Sequence, residues 1–366
     1  MKILILTVSH IWYDSRLYFR IAQSLLKREA DIHLLTGISD GSSEQNDRIR
    51  NFTYECLGLK NNKLSLINTF IKKGLKYKPD IILCIEPITL IAGLALKKSL
   101  KCRVVYDAHE YYAEAFAEKH KGLYKQYLFL EKKLATKMDA VIAVNDILLE
   151  RFKPNSYLCA NFPKRDSFID NINTNKKYDA IYAGGLWFER GLKVYLEVAN
   201  FFKINNKNFK LLIIGSFKNK AIELYFHNYI KTKKLEDYII YKPYMPQSEV
   251  LQEMSSAKVG LFFGDIENSP RYDKSISMKV LEYFSQKIPV IINKLDVLGD
   301  FVEKSKGGWI VEYDSLSLYI LLSDILEDKR LLSNKGNYGY NYVYLNALWE
   351  NQEEELFKAV FGNINE

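Results

Sequence analysis

Residues 264–291 read GDIENSPRYDKSISMKVLEYFSQKIPVI: a polar loop, serines at a helix start, an amphipathic helix, and Pro289 entering an apolar strand. KVGLFFG at 258–264 precedes it, so strand, loop, helix and strand follow one another in a single short unit. Near-continuous apolar strands alternating with helices build parallel sheets that are covered on both faces. The alternation extends outward through YDAIYAGGL (178–186), GLKVYLEVANFFK (191–203), KLLIIGS (210–216) and DYIIYKPY (237–244), and onward through GGWIVEY (307–313) and LYILLSDILED (318–328). These segments predict a doubly wound α/β domain over 173–346.

The same pattern runs through the first part of the chain. KILILTV (2–8), DIHLLTG (31–37), FTYECL (52–57), DIILCIE (80–86), CRVVYDA (102–108) and AVIAVN (140–145) read as strands. SRLYFRIAQSLLKR (15–28), NTFIKKGLK (68–76), ITLIAGLALKKS (88–99) and LYKQYLFLEKKLATK (123–137) read as helices. A second doubly wound domain is therefore expected over 1–168, joined by 347–366. NFPKRDSFIDNINTNKKYD (161–179), poor in large aliphatics, reads as the linker between the two. Tandem domains of this kind place a ligand cleft between them, at the carboxyl ends of the strands.

Composition narrows the function classes. With 366 residues, 48% apolar and 26% charged, the chain can bury two cores and is too apolar for general disorder. Cys56, Cys84, Cys102 and Cys159 form no CxxC pair, which predicts reduced thiols, no zinc site, and Cys84 and Cys102 in strands. The N-terminal MKILILTVSH reads as a first strand rather than a signal peptide, and no stretch approaches the roughly 18 apolar residues of a membrane span. A cytoplasmic protein is expected, peripheral on the inner face of the membrane if its basic face meets lipid.

Residues 1–170 hold 27 Lys and Arg against 19 Asp and Glu, and the remainder 25 against 25, so the whole net charge of +8 is N-terminal. The cations cluster at 60–78, 97–103 and 119–137, the last interleaved with Leu, Tyr and Phe. This is either a solvated basic face or a surface for anionic lipid or a pyrophosphate-bearing acceptor. No recognition-helix or RNP-like pattern accompanies the charge, so nucleic acid is not an expected partner.

Several strand ends carry chemistry. SHIWYDSR (9–16) stands where a dehydrogenase would show G-x-G-x-x-G, and instead sets His10, Asp14 and Arg16 at the ligand end; Asp14 either does this or caps the next helix. VVYDAHEYYAEAF (104–116) puts Asp107, His109 and Glu110 after a strand, with His109 holding a sugar hydroxyl and Glu110 orienting it, or the acids merely suiting a helix start. Gly184, Gly185 and Arg190 form a candidate phosphate cradle, and Gly215 with Ser216 leaves room for a nucleotide. Around Ser275 and Ser277, helix-start N–H groups can hold a pyrophosphate, and Glu282 beyond Lys279 can accept both hydroxyls of a ribose; the alternative is an ordinary Lys–Glu surface pair.

In this order, SHIWYDSRLYFRIAQSL (9–25), VVYDAHEYY (104–112), NFP (161–163), YAGGLWFERGL (182–192) and SISMKVLEYFSQKIPVI (275–291) resemble the retaining glycosyltransferases of family 4 over nearly the whole chain. The resemblance implies the GT-B architecture: two Rossmann-like domains facing a cleft, with a last helix crossing back near Trp349 and Glu350. It implies a nucleotide-diphosphate sugar donor in the second domain and a saccharide acceptor, lipid-linked, in the first, with no cofactor and no metal. Related enzymes build surface polysaccharide such as O-antigen, capsule or lipopolysaccharide. By motif, Glu282 resembles the ribose-binding glutamate that ends E-x7-E, Arg190 stands where a phosphate-binding lysine is usual, and His109 falls on the active-site histidine. Two positions depart from the pattern: Lys274 replaces the first glutamate and Gly185 an arginine, which leaves the pyrophosphate to Arg190, Lys279 and backbone N–H groups. Loops 242–247 and 265–273 are expected to select base and sugar. The departures also allow a non-catalytic nucleotide-sugar-binding subunit, and the architecture also serves sugar-nucleotide epimerases.

Overall fold

The computed structural model describes residues 1–39, 51–120, 122–170, 173 and 175–362. Its contacts divide the chain into two units, Met1–Asn161 with Trp349–Glu366, and Phe162–Leu348.

The first unit holds β1 (Lys2–Thr7), β2 (Asp31–Thr36), β3 (Phe52–Cys56), β4 (Ile81–Cys84), β5 (Arg103–Ala108), β6 (Ala140–Ala143) and β7 (Ser156–Leu158). All seven are parallel, in the order β3-β2-β1-β4-β5-β6-β7. The apolar runs are explained by burial on both faces: Ile3 and Ile5 of β1 join one core, and Leu4 and Leu6 the other. Cys84 ends β4, whereas Cys102 lies just before β5. The edge strand β7 was not expected, being too short and too polar to register as a periodic segment. The helix after β1 also differs from a plain α-helix, because it opens with a π-helical turn, Leu17–Ala22, in which Ile21 N–H donates to the carbonyl of Arg16 at 2.9 Å.

The chain's last segment completes this unit. Trp349 is fully buried in the first core, and its Nε1 donates to Ser24 Oγ at 2.9 Å. The helix Glu353–Phe361 adds Leu356, Ala359 and Val360 to the same core.

The second unit holds β8 (Tyr178–Ala183), β9 (Leu211–Ile214), β10 (Ile239–Lys242), β11 (Ala257–Phe262), β12 (Val290–Asn293) and β13 (Gly308–Val311). These six parallel strands lie in the order β10-β9-β8-β11-β12-β13, so both sheets wind outward in two directions from their first strand. The helices Lys220–Lys233, Gln247–Ser255, Asp296–Ser305 and Lys329–Asn346 were not singled out from the sequence. In the last of these, Gly339 lies against the Phe284 ring, where a Cβ would stand 2.1 Å from its Cδ1.

The stretch 161–179 is not a free linker. Phe162 and Phe168 pack on the second unit's core, Ile169 N–H donates to Ser285 O at 3.2 Å, and Gln286 Nε2 donates to Ser167 O at 2.8 Å. Residues 171, 172 and 174 of that stretch, and 121 of the cationic run 119–137, lie outside the described residues.

Trp349→Ala empties a fully buried aromatic site in the first core. We expect it to lower stability by about 3–5 kcal/mol, read as a shifted urea midpoint with little change in slope.

Candidate functional site

In a doubly wound sheet the ligand position is the gap where the winding reverses, which in the second unit lies between β8 and β11. The residues there converge through two glycines. Gly215 has φ +147°, and a Cβ on it would stand 1.8 Å from Gly184 O; Gly184 has φ +156°, and a Cβ there would stand 2.1 Å from Lys279 Cε. Without side chains the ends of β8 and β9 meet, and the Lys279 stem lies directly over the turn.

Lys279 is the second residue of the helix Met278–Ser285, whose cap residue Ser277 makes no side-chain capping bond. Arg190 ends the 3₁₀ turn Phe188–Arg190; its Nε donates to Tyr272 Oη at 3.1 Å and its guanidinium lies 4.2 Å from the Trp187 ring centre. Burial and then the charge of Arg190 push the Lys279 ammonium below its ordinary pKa, with Glu282 opposing. Neither cation is ion-paired to a carboxylate among the described residues. Two such cations at a helix start make a site for a doubly charged anion.

The Lys–Glu surface pair is not formed. Lys279 runs to Gly184, while Glu282 Oε1 accepts from Gln247 Nε2 at 2.8 Å, which ties the helix to the segment after β10. Gly215 O accepts from Tyr241 Oη at 3.1 Å, and Ser216 is exposed. Lys274 ends the 3₁₀ turn Pro270–Lys274 and Ser275 follows it; in that turn Tyr272 meets Arg190, and Asp273 Oδ1 accepts from Asp296 N–H at 2.6 Å. Asn293, 1% exposed, exchanges bonds with the Gly264 backbone at 2.8 and 3.0 Å and so fixes where the loop begins. Trp187, Tyr272 and Asn293 carried no signal in the sequence, because their roles depend on partners 3, 82 and 29 residues away.

The equivalent end of the first sheet is organised by buried charge. Glu86, after β4, was not anticipated: it accepts from Thr7 Oγ1 (3.0 Å), Val8 N–H (2.9 Å), Ser9 N–H (2.9 Å) and Ser9 Oγ (2.8 Å), and thereby shapes the loop after β1. Arg16 is turned inward rather than toward a ligand. Only 3% exposed, it contacts both oxygens of the fully buried Asp107 at 2.7–3.2 Å, Asn161 Oδ1 at 2.6 Å, and Cys159 O at 3.2 Å. Burial works against the Asp107 charge, but the guanidinium beside it holds the carboxyl well below the usual carboxylate range.

His109 Nδ1 lies 3.2 Å from Asp107 Oδ2, so Asp107 orients the ring; Glu110, expected in that role, is exposed. The His10 ring stands edge-on to His109 with centroids 5.0 Å apart, and its Nδ1 donates to Asp14 Oδ2 at 3.1 Å. Asp14 takes the capping role considered for it, since its Oδ1 accepts from Arg16 and Leu17 N–H at 2.8 and 3.0 Å while its Oδ2 holds His10. Burial raises the Asp14 pKa, but His10 and these two N–H groups bring it down to about 2. For His10, burial is outweighed by Asp14, Glu86 and Glu110, which hold the imidazole above its ordinary value.

The sequence pattern of "Glycosyl transferases group 1" matches residues 164–342, and that of "Glycosyltransferase Family 4" matches residues 15–155. The chain belongs to the family 4-like glycosyltransferases. No curated protein shows a significant sequence match. Among solved structures, the transferase resembles sucrose-phosphate synthase from Thermosynechococcus elongatus (TM-score 0.76, 15% identity, covering 98% of this chain and 97% of that one). Anabaena HepE in complex with UDP and glucose superposes at TM-score 0.76 with 14% identity, covering 98% of each chain. The lipopolysaccharide outer core galactosyltransferase WaaB superposes at 0.61 with 15% identity over all of both chains. At these identities the likeness establishes the fold, two Rossmann-like units of the GT-B class.

The two shifted groups in the first unit set a pH dependence with opposite limbs. Stability from the depressed Asp14 is present above about pH 4 and lost as pH falls toward its folded value; that from the raised His10 is present below about pH 6.5 and lost as pH rises through its folded value. The stability difference between wild type and His10→Asn should therefore be largest between these limits, and urea titrations from pH 3 to 9 check it. Arg16→Ala leaves Asp107 buried without its partner, and an unfolding cost of about 3–5 kcal/mol at pH 7 is expected from the same titrations.

Proposed function

We propose that this transferase moves a sugar from a nucleoside-diphosphate sugar to a saccharide acceptor, lipid-linked, with retention at the transferred carbon, in the synthesis of surface polysaccharide. The observation that carries the reading is the pair of cations, Lys279 lying over Gly184 and Arg190 on Trp187, at the start of the helix Met278–Ser285. UDP and UDP-glucose occur in the HepE complexes, and WaaB is named a lipopolysaccharide galactosyltransferase, which supports a nucleotide-sugar donor here by analogy of fold.

The diphosphate is assigned to Arg190, Lys279 and the helix-start N–H groups next to Ser275 and Ser277. Glu282, one turn in and steadied by Gln247, accepts the ribose hydroxyls, and Gly184, Gly185, Gly215 and Ser216 leave the backbone open to the nucleotide. When the bond from the sugar to the diphosphate breaks, the departing oxygens gain charge, and preplaced cations stabilise that change without reorganisation. This supply of positive charge supports transfer without a divalent metal. In the first unit His109 is assigned to the sugar, its ring held by Asp107, and His10 to the acceptor side; Arg16, Asp14 and Glu86 position these rings.

The acceptor's lipid is assigned to the basic face of the first unit. On and beside the helix Tyr124–Ala135, Leu123, Phe129 and Leu130 are 46%, 68% and 53% exposed among Lys125, Lys132 and Lys133, which suits a headgroup boundary. No helix among the described residues is long and apolar enough to cross a membrane, and a peripheral position on the inner leaflet is the corresponding proposal. Lys274, where the family pattern has a carboxylate, favours a second reading, a donor-binding subunit without turnover; donor binding in the absence of transfer to any saccharide would mark it.

A panel of nucleotide-sugars should raise the melting temperature for one base, with or without EDTA, by up to about 2.7 kcal/mol of stabilisation at a hundred times Kd, and Glu282→Ala should abolish the shift. Arg190→Ala and Lys279→Ala should each lower kcat/KM by about 100-fold or more; near-normal turnover in either would overturn the donor assignment. Sedimentation with anionic vesicles at low salt should fall in a Phe129→Ser, Leu130→Ser double variant, while equal binding to neutral vesicles would remove the membrane reading.

A further inference from the structure

The helix Tyr124–Ala135 is inverted in one respect: Phe129 and Leu130 face outward while Glu131, between two exposed neighbours, is 2% exposed. A carboxyl in that position needs partners for both oxygens, and it has one. Oε1 accepts from the fully buried Tyr106 hydroxyl of β5 at 2.7 Å, whereas Oε2 has no hydrogen-bond partner. The Tyr112 hydroxyl, at the start of the neighbouring helix Tyr112–Lys119, is likewise buried without a partner. Two unsatisfied polar groups under one pair of helices leave that seat costly to bury.

We propose that the Glu131 carboxyl is a protonation-dependent latch: in its neutral form it seats the helices Tyr112–Lys119 and Tyr124–Ala135 on the first sheet, and loss of its proton unseats them. The groups around it fit this. Burial, before any charge, pushes the Glu131 carboxyl up to about 7, and Glu114 adds to the shift. The Tyr106 bond, Arg151 from the helix Asp146–Arg151, and Lys132 on its own helix oppose it without cancelling it. Arg151 is itself committed to Glu114, at 2.6 and 3.1 Å, and Lys97 of the adjoining helix Thr89–Leu100 to Asp139 at 2.8 Å, so neither supplies a direct counter-ion. Tyr127, on the same helix, stacks on Phe116 with ring centres 4.5 Å apart and offers no positive charge.

The sign follows from the raised value. Unseated and solvated, Glu131 ionises in the ordinary carboxylate range; seated, it keeps its proton to about pH 7. Opening therefore becomes easier as pH rises between those limits, and the effect is complete above the upper one. Its consequence rests on the proposed function: the Tyr112 ring stands 5.9 Å from His109, and Phe129 and Leu130 share the latched helix, so unseating disturbs the sugar-side histidine and the lipid-facing surface together.

Hydrogen exchange of the full chain, wild type against Glu131→Gln, tests the latch apart from any function. Glutamine keeps an acceptor for Tyr106 and cannot ionise. Amides of 124–135 should exchange at least about tenfold more slowly in the variant at pH 8, and equally in the two proteins at pH 4.5. Glu131→Met, an apolar replacement of similar length, should behave alike if the glutamine side chain packs poorly. An equal difference at both pH values, no difference at pH 8, a change spread evenly over the first unit, or failure of both variants to fold at pH 8 would overturn the latch. Nucleotide-sugar binding by Glu131→Gln separates the two ideas: protection without binding retires the proposed function and leaves the latch, and binding without protection does the reverse.

Discussion

A parallel strand cannot be joined to its neighbour by a tight turn, and everything else in this protein follows from that constraint. Each crossover has to carry the chain over one face of the sheet, and in both units the crossovers run outward in two directions from the first strand, β1 or β8. Where the directions part, no helix covers the carboxyl ends of the strands. The loops after β1, β4 and β5, and after β8 and β11, meet at those two gaps. The residues with chemistry lie in these loops and at the start of the helices that follow them.

The two gaps are furnished in opposite ways. In the first unit the polar groups satisfy one another: Glu86 takes up backbone and hydroxyl donors, Arg16 neutralises Asp107, and Asp14 serves both a helix start and His10. Such a network is rigid, and it presents two imidazoles held by carboxylates. In the second unit Lys279 and Arg190 have no carboxylate partner among the described residues, and backbone, rather than side chain, lies beside them at Gly184 and Gly215. A preformed polar network suits hydroxyl recognition; unpaired cations over bare backbone suit a diphosphate. That contrast is the physical basis for proposing the donor in the second unit and the acceptor in the first.

Buried charge is also where the structure departs from local expectation. Arg16 was expected at the ligand end and Glu131 lies within the cationic run 119–137, yet both are in the interior. Arg16 is matched by Asp107, a residue 91 positions away, and the pair is satisfied. Glu131 is matched only by a tyrosine hydroxyl, and stays neutral at the cost of sensitivity to pH. The difference between a clamp and a latch is whether the buried charge has a counter-charge within reach.

From its sequence alone this protein is determined as two parallel α/β units with glycines at strand ends, because apolar runs of strand length separated by amphipathic helices admit few other arrangements. The same reading placed Gly184, Gly215, His10 and His109 after strands and Lys279 and Glu282 on the following helix, since strand ends and helix starts are local features. It could not distinguish which polar residues face a ligand and which face one another. Asp14, Arg16, Asp107 and Glu110 are of equal promise in the sequence; only the tertiary contacts turn Arg16 onto Asp107, give His109 to Asp107, and leave Glu110 exposed. Glu86, Tyr272 and Asn293 were invisible for the same reason. A hydrogen bond between residues far apart in the chain leaves no periodicity behind, so its partners are decided by the fold that brings them within 3 Å.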